Sequence, residues 1–401
     1  MEKVLSSVIP SLVKKGIFGD VEFKDLKSEN DKDIGAQFAS TLAFANLIVK
    51  SNSGEEILPL VIKAPMPERK DNHVQFLMES LMYKEVLPTL GFDQVCYPKI
   101  HYNCISLENP EENILIFENV KYKHYCNTKI RTFLDFDHIS LALKTLARFH
   151  SLSFILKHDN LEKFLELTEK MKKYCFDPET YSVYNIPLYA AIERGFRGFE
   201  KEIGPNETLE DALRALKNPT LLRGKLSLPE EPFDVICHGD FCNNNLMYKY
   251  NEKGSPSKCI LYDFQLSIYG NIAVELAFFL YMHTNSECRE KYWDSFLRIY
   301  WDSLKESVPN HIELPKYEDF LEYFEARAML GYLISSFFLP MVMDPDVQFW
   351  GNLPLEEQIA LMKTIAGNEG EKALVDVVSH MYKKKYIHKF LNYMKTKKYL
   401  V

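Results

Sequence analysis

No two of the eight cysteines stand as a C-x-x-C pair, so the spacing of a structural zinc site is missing. Thiols scattered in this way fit a reducing cytosol, and hence a cytoplasmic protein, better than a disulfide framework. There is no long apolar run. The longest stretch without a charged residue, 328–343, is sixteen residues and contains Pro340, whereas a bilayer-crossing helix needs about 20. That stretch predicts a buried helix, and no transmembrane segment is expected. There is no surplus of positive charge either. The formal net charge of −8 argues against general affinity for nucleic acid, so any phosphate must be held by a local arrangement. The opening MEKVLSSVIPSLVKKG has no apolar h-region and no small-residue cleavage site, and no secretory leader is expected. Internal repeats and low-complexity segments are absent.

What is present is the composition of a globular chain. Of 401 residues, 46% are apolar and 26% charged, enough for two or three core units and too apolar for disorder. The first part reads as strands: 21–26 alternates, 38–49 and 57–64 are apolar, and the turn Ser51-Asn52-Ser53-Gly54 makes the last two a hairpin. Pro65 and Pro67 are expected to stop the sheet. Residues 74–87 carry helical spacing, with Pro88 expected to end the helix. A short apolar strand follows at 113–120. Periodicity is then helical at 139–155, 161–174 and 190–199, broken only by β-rich patches at 235–237 and 259–263. The coarse architecture is α+β: a small antiparallel β part over residues 1–120, then a large, mainly helical part over 121–401.

The chemistry concentrates in His238-Gly239-Asp240-Phe241-Cys242-Asn243-Asn244-Asn245 and in Ile260-Leu261-Tyr262-Asp263-Phe264-Gln265. Phosphoryl transfer from ATP needs a carboxylate to take or orient the hydroxyl proton, and hard oxygen ligands to hold Mg²⁺ against the phosphates. An Asp in a loop, an Asn five residues on and an Asp ending a nearby strand supply these groups. Asp240 is the candidate base, and Asn245 and Asp263 are the candidate metal ligands.

The two motifs resemble the catalytic loop and DFG element of kinases, with HGD and DFQ in their places. More closely, HGD-x-x-x-N-N-x-M followed by DFQ resembles the ecdysteroid kinase-like family of arthropods, relatives of choline kinases and aminoglycoside phosphotransferases. Gly35–Ser40 resembles that family's phosphate-proximal turn, 60–63 its lysine strand, Glu79 to Tyr83 with Leu87-Pro88 its E-x-x-x-Y…LP helix, 115–120 its hinge, and 146–153 a further helix. The resemblance runs from about residue 35 to 343. It implies a protein-kinase-like two-lobed fold, with ATP and Mg²⁺ as cofactors. Lys63 would neutralise α- and β-phosphate oxygens and pair with Glu79. Gly35 and Ser40 would line the phosphates, and Glu118 and Val120 would meet adenine through their backbones. The expected acceptor is a small-molecule hydroxyl, an ecdysteroid being favoured.

Two positions depart from the family pattern. Cys242 stands where Trp is common, and reads as a packing change. Glu275 stands where Asp usually braces the catalytic loop, and its extra methylene predicts a shifted brace. His150 reads as a core histidine and Ser151 has no assigned role. A protein-kinase reading lacks room after Asp263 for an activation segment ending in an A-P-E-like element. A choline/ethanolamine-type kinase and a nucleotide-binding pseudokinase remain the alternatives. The apolar, Met- and Phe-containing run 328–343 favours a bulky apolar acceptor. Residues 381–401, with seven lysines and no acid, predict an amphipathic helix docked with its lysines in water.

Overall fold

The computed structural model describes residues 4–29, 40–66, 73–106, 108–175, 177–344, 346 and 350–399. Two compact units result, Met1–Asn127 with Leu246–Leu266, and Thr128–Asn245 with Ser267–Val401. Neither is one continuous stretch of chain.

The first unit is built on a five-stranded antiparallel sheet. Its strands are β1 (Glu22–Glu29), β2 (Ser40–Ser51), β3 (Gly54–Pro65), β4 (Ile100–Cys104) and β5 (Ile114–Glu118), in the order β1-β2-β3-β5-β4. The expected β2–β3 hairpin is present, in register from Ser51 opposite Gly54 to Ser40 opposite Pro65. Alternation divides its faces. Ala45, Leu47 and Val49 of β2, Leu60 and Ile62 of β3, and Ile114 and Ile116 of β5 form one buried layer with Ile9, Leu12 and Val13 of α1 (Ile9–Lys14). Lys63 is one step out of phase with that layer and belongs to the other face, where α2 (His73–Leu81) packs. Strand β4 is missing from the sequence reading, because Ile100-His101-Tyr102-Asn103-Cys104 is too short and mixed to show alternation.

Pro88 does not end the helix as expected. From α2 the chain passes through a π turn, Met82–Val86, into α3 (Leu87–Leu90), and stops at Gly91 with φ +72°. The π turn shifts the hydrogen-bond register. Pro88 then occupies a helix-start position, where an N–H has no intrahelical partner to lose. The hairpin β7 (Leu246–Tyr250) and β8 (Pro256–Leu261) completes this unit.

The second unit has a two-stranded ribbon, β6 (Asp234–Cys237) with β9 (Ile268–Asn271), among helices. These are α4 (Phe136–Asp159), α5 (Leu161–Lys172), α6 (Asn185–Ile203), α7 (Glu207–Ala215), α8 (Pro219–Ser227), α9 (Ile272–His283), α10 (Ser286–Ser307), α11 (Tyr317–Arg327), α12 (Met329–Met343), α13 (Leu355–Thr364), α14 (Gly367–Lys383) and α15 (Tyr386–Thr396). Every residue of α9 is buried, Glu275 and His283 included, so it is covered all round and shows no amphipathic stripe. The run 328–343 is the buried helix α12, packed on α9. Among the described residues one helix, α4, is long and apolar enough to cross a membrane. Its Ile139, Leu143, Leu146 and Phe149 are wholly buried within the protein, and α10 packs along it. The lysine-rich end forms α15, which buries Tyr386, Ile387, Phe390, Leu391 and Met394 while Lys389 pairs with Glu325.

At Gly331 of α12 the helix meets the backbone of its neighbour α9 closely. A Cβ there would lie 2.5 Å from the Ala277 carbonyl oxygen and 2.8 Å from the Tyr281 ring. Backbone cannot yield as a side chain can. Gly331→Ala is therefore expected to destabilise the protein by about 1–3 kcal/mol, despite a helix-propensity gain of up to about 1 kcal/mol. Urea unfolding is the check, and a more stable variant would contradict this packing.

Candidate functional site

In the first unit, β3 delivers Lys63 and α2 delivers Glu79. Lys63 is 5% exposed and Glu79 1%, and a buried ammonium needs anionic partners. Lys63 Nζ donates to Glu79 Oε2 at 2.7 Å and to Asp263 Oδ1 at 2.8 Å, with Gln265 Oε1 at 3.4 Å. Burial works against the lysine charge, but Asp263 and Glu79 more than offset it, and its pKa is raised. Burial likewise raises Glu79, against the pull of Lys63. One ammonium thus serves two carboxylates, and with both ionised the trio carries a negative charge. Asp263 is its most exposed member, with a quarter of its side chain in solvent. Its backbone is left-handed, φ +65°, a conformation uncommon outside glycine and enriched at functional positions. A hard oxygen reaching solvent beside this excess negative charge fits a divalent cation.

The spacing of α2 explains the E-x-x-x-Y pattern. Glu79 and Tyr83, four residues apart, share a helix face. Glu79 meets Lys63, and the Tyr83 ring stands edge-on to Phe264, centroids 5.6 Å apart. Of the other candidates in this unit, Gly35 lies outside the described residues. Ser40 is buried at the start of β2. Glu118 ends β5, its N–H bonded to the Lys99 carbonyl and its carboxylate taking the Lys99 N–H and the Lys123 ammonium. Val120 opens a 3-10 turn, a place where an N–H has no intrahelical acceptor. It packs with Tyr125, Ile260 and Met247, so the β7–β8 hairpin puts apolar side chains beside it.

In the second unit the loop after β6 presents Asp240. Asn245 Nδ2 donates to the Asp240 carbonyl at 2.8 Å and to Asp240 Oδ2 at 2.9 Å. With its amide nitrogen used in this way, Asn245 could offer Oδ1 to a cation. The loop backbone hangs from three side chains. Glu275 Oε2 accepts the His238 N–H at 3.0 Å and Oε1 the Gly239 N–H at 2.6 Å. His283 Nε2 accepts the Asn243 N–H at 2.9 Å. Ser267 Oγ donates to the His238 carbonyl at 3.2 Å. Gly239 takes φ +85°, where a side chain would be strained. The longer Glu275 therefore reaches two loop amides and still makes the brace.

His150 is fully buried and hydrogen-bonded on both ring nitrogens, Nε2 to Glu275 at 2.7 Å and Nδ1 to the Tyr300 hydroxyl at 2.8 Å. It is a satisfied core histidine, and it also positions the brace. Burial pushes Glu275 up, but the hydrogen bond from His150, with His238 and the Gly239 N–H, holds its pKa below the ordinary glutamate value. Cys242 is buried in an apolar cluster with Phe278, Met282, Ile334 and Leu339, against which Phe337, Phe338 and Met343 pack. Its Sγ is 3.9 Å from Asp240 Oδ1, so the cluster built by α9 and α12 reaches the candidate base.

Sequence reasoning missed His283, Ser267 and Arg223. The first two act on backbone groups, which carry no pattern. Arg223 is half-buried on α8. Burial lowers its pKa, opposed by the charges of Asp240 and Tyr181. A positive charge thus acts on the candidate base.

The model of the ecdysteroid kinase-like family matches residues 34–311, over half of the chain. No curated protein matches. Solved structures similar to the chain at low identity include the following two. A spectinomycin phosphotransferase in complex with ADP and spectinomycin is 13% identical, TM-score 0.40, over 93% of this chain and 97% of that one. An amicoumacin kinase in complex with AMP-PNP, Ca²⁺ and Ami is 12% identical, TM-score 0.45, over 94% of this chain and 95% of that one.

His283 gives a pH dependence. Burial lowers its pKa to about 4, and the neutral ring donates from Nδ1 to the Thr132 carbonyl while accepting the Asn243 N–H. The unfolded chain protonates this histidine near pH 6.5 and the folded one near 4. Its contribution is therefore complete above about 6.5 and is lost as pH falls towards 4, a share on the order of 3 kcal/mol. His283→Gln is expected to show a shallower loss of stability between pH 7 and 4.5 in urea melts. An equally steep loss would mean that His283 is not held neutral.

Proposed function

We infer the function from one premise, that the chain belongs to the ecdysteroid kinase-like family, which makes it a small-molecule kinase with a hydroxyl group as acceptor. We propose that the acceptor is a bulky, largely apolar alcohol, an ecdysteroid or related steroid being favoured, and that ATP with Mg²⁺ is the donor. The observation that carries the reading is that Lys63, Asp240, Asn245 and Asp263 are all present and each is held by its own partners. Bound Mg²⁺·ATP would supply the phosphoryl group and neutralise its oxygens. The chain's own groups do the rest. Lys63, fixed by Glu79, offers an ammonium to phosphate oxygens. Asn245 holds Asp240 so that its carboxylate can take the acceptor proton. Asp263 and Asn245 Oδ1 are the oxygen ligands proposed for the cation, and Val120 is the backbone contact proposed for adenine.

Two features support an apolar, uncharged acceptor. The cluster of Cys242, Phe278, Ile334, Phe337 and Phe338 lies on the side of Asp240 that Cys242 occupies, and such walls suit a steroid-sized ligand. The Arg223 charge near Asp240 disfavours a cationic acceptor such as choline. The eight free thiols support a cytoplasmic location.

Asp240→Asn is expected to keep Mg²⁺·ATP affinity within about twofold while lowering kcat about 10²- to 10⁴-fold. Asp263→Ala is expected to abolish metal-dependent nucleotide binding, measured by calorimetry. Wild-type kcat in the first variant, or unchanged Mg²⁺·ATP affinity in the second, contradicts the corresponding role.

The acceptor is tested by ATP consumption across ecdysteroids, other steroid alcohols, choline and ethanolamine. Turnover with steroid alcohols and not with choline is expected. Efficient phosphorylation of choline or ethanolamine alone would replace the apolar-acceptor reading with the choline-kinase one.

A further inference from the structure

At the C-terminal end of α4, on the surface of the second unit, three exposed side chains converge that the kinase chemistry does not use. His158 and Asp159 are the last two residues of the helix. His311 belongs to the segment joining α10 to α11. One ligand atom from each lies within 4.8 Å of the other two. The two imidazole rings are edge to face with centroids 5.3 Å apart, and His158 Nδ1 is 2.8 Å from Asp159 Oδ1.

We propose that His158, Asp159 and His311 form a binding site for a divalent transition-metal ion of the Zn²⁺ type. Two imidazoles and one carboxylate are the donor set that suits Zn²⁺, Ni²⁺ or Cu²⁺, whereas Mg²⁺ and Ca²⁺ call for oxygen ligands throughout. Three protein ligands leave the fourth tetrahedral position to water. Zinc bonds of about 2.0–2.1 Å at tetrahedral angles set ligand atoms about 3.4 Å apart, so the 2.8 Å His158–Asp159 contact must open and atoms as far as 4.8 Å apart must close. The side chains are exposed, so rotation about their own bonds can close the gap without moving the core.

The backbone around the site is already ordered. Asn160 N–H closes the helix on the Leu156 carbonyl. The Ile312 N–H bonds to the Pro309 carbonyl, making the turn that carries His311. Ile312 is buried beneath it. The carbonyl end of a long helix is its electronegative pole, which favours a cation. Occupancy would join α4 to the α10–α11 turn and stabilise the folded state by mass action.

The test is calorimetric titration of tag-free, full-length protein with Zn²⁺ and with Ni²⁺, without nucleotide because ATP would chelate the ion. Circular dichroism melts accompany each variant. One saturable site of micromolar affinity is expected, unaffected by millimolar Mg²⁺ and raising the melting temperature. His158→Ala and His311→Ala are each expected to weaken it about tenfold or more, with Asp159→Asn weakening it less. His124→Ala, an exposed histidine elsewhere, serves as the control and leaves it unchanged. The absence of a saturable site overturns the proposal. So does undiminished binding in both histidine variants, which would place the ion on other groups such as the exposed Cys104 and Cys126. These readouts do not depend on kinase activity, so the site and the proposed function stand or fall separately.

Discussion

A carboxylate that is 1% exposed cannot be left without donors, and in this protein that carboxylate is Glu275. Stranding such a charge costs about 3–5 kcal/mol. Three donors meet it: the His150 ring and the N–H groups of His238 and Gly239. The two amides are consecutive and open the loop that bears Asp240. The need to satisfy one buried charge on α9 therefore fixes the backbone of that loop. His150, carried by α4, is fixed in turn by Tyr300 of α10. The orientation of a candidate catalytic group thus rests on three packed helices, and helix packing is stiffer than a loop's own hydrogen bonds.

The first unit handles a buried charge in a different way. There the buried group is an ammonium, and two acids share it. Glu79 is enclosed and is the structural partner of the lysine. Asp263 keeps solvent contact and is free to exchange partners. A lysine held by one structural and one exchangeable acid suits a site that must accept a polyanion without leaving a charge stranded in its absence. The sheet makes this possible through phase alone, since Lys63 lies one residue from Ile62 and so faces away from the apolar layer.

Legibility in the sequence followed the physical range of each signal. The β2–β3 hairpin was visible because alternation and a Gly-bearing turn are local. HGD, DFQ and Lys63 were visible because their chemistry requires particular side chains at set spacing. Strand β4 lacked alternation, β7 and β9 are only five and four residues long, and the partner of β9, β6, is distant in sequence. Pro88 misled because its effect depends on the π turn before it. His283 and Ser267 were invisible for a deeper reason. They bond to backbone groups, and a backbone group is the same at every position. Glu275 was noticed only as a departure from a family pattern. Its added length was expected to move the brace, yet the carboxylate spans two neighbouring amides.

The chain leaves the first unit at Asn127 and returns to it only at Leu246–Leu266, which has a consequence for synthesis on the ribosome. When the sheet of the first unit has emerged, the β7–β8 hairpin and Asp263 have not been made. At roughly 5–20 residues per second, the intervening stretch 128–245 takes about 6–24 seconds to appear. Throughout that interval Lys63 has Glu79 but not Asp263, and Val120 lacks the apolar cover of Met247 and Ile260. The nascent N-terminal segment is thus a sheet with an unfinished side, and its completion must wait for a piece of chain born in the middle of another fold.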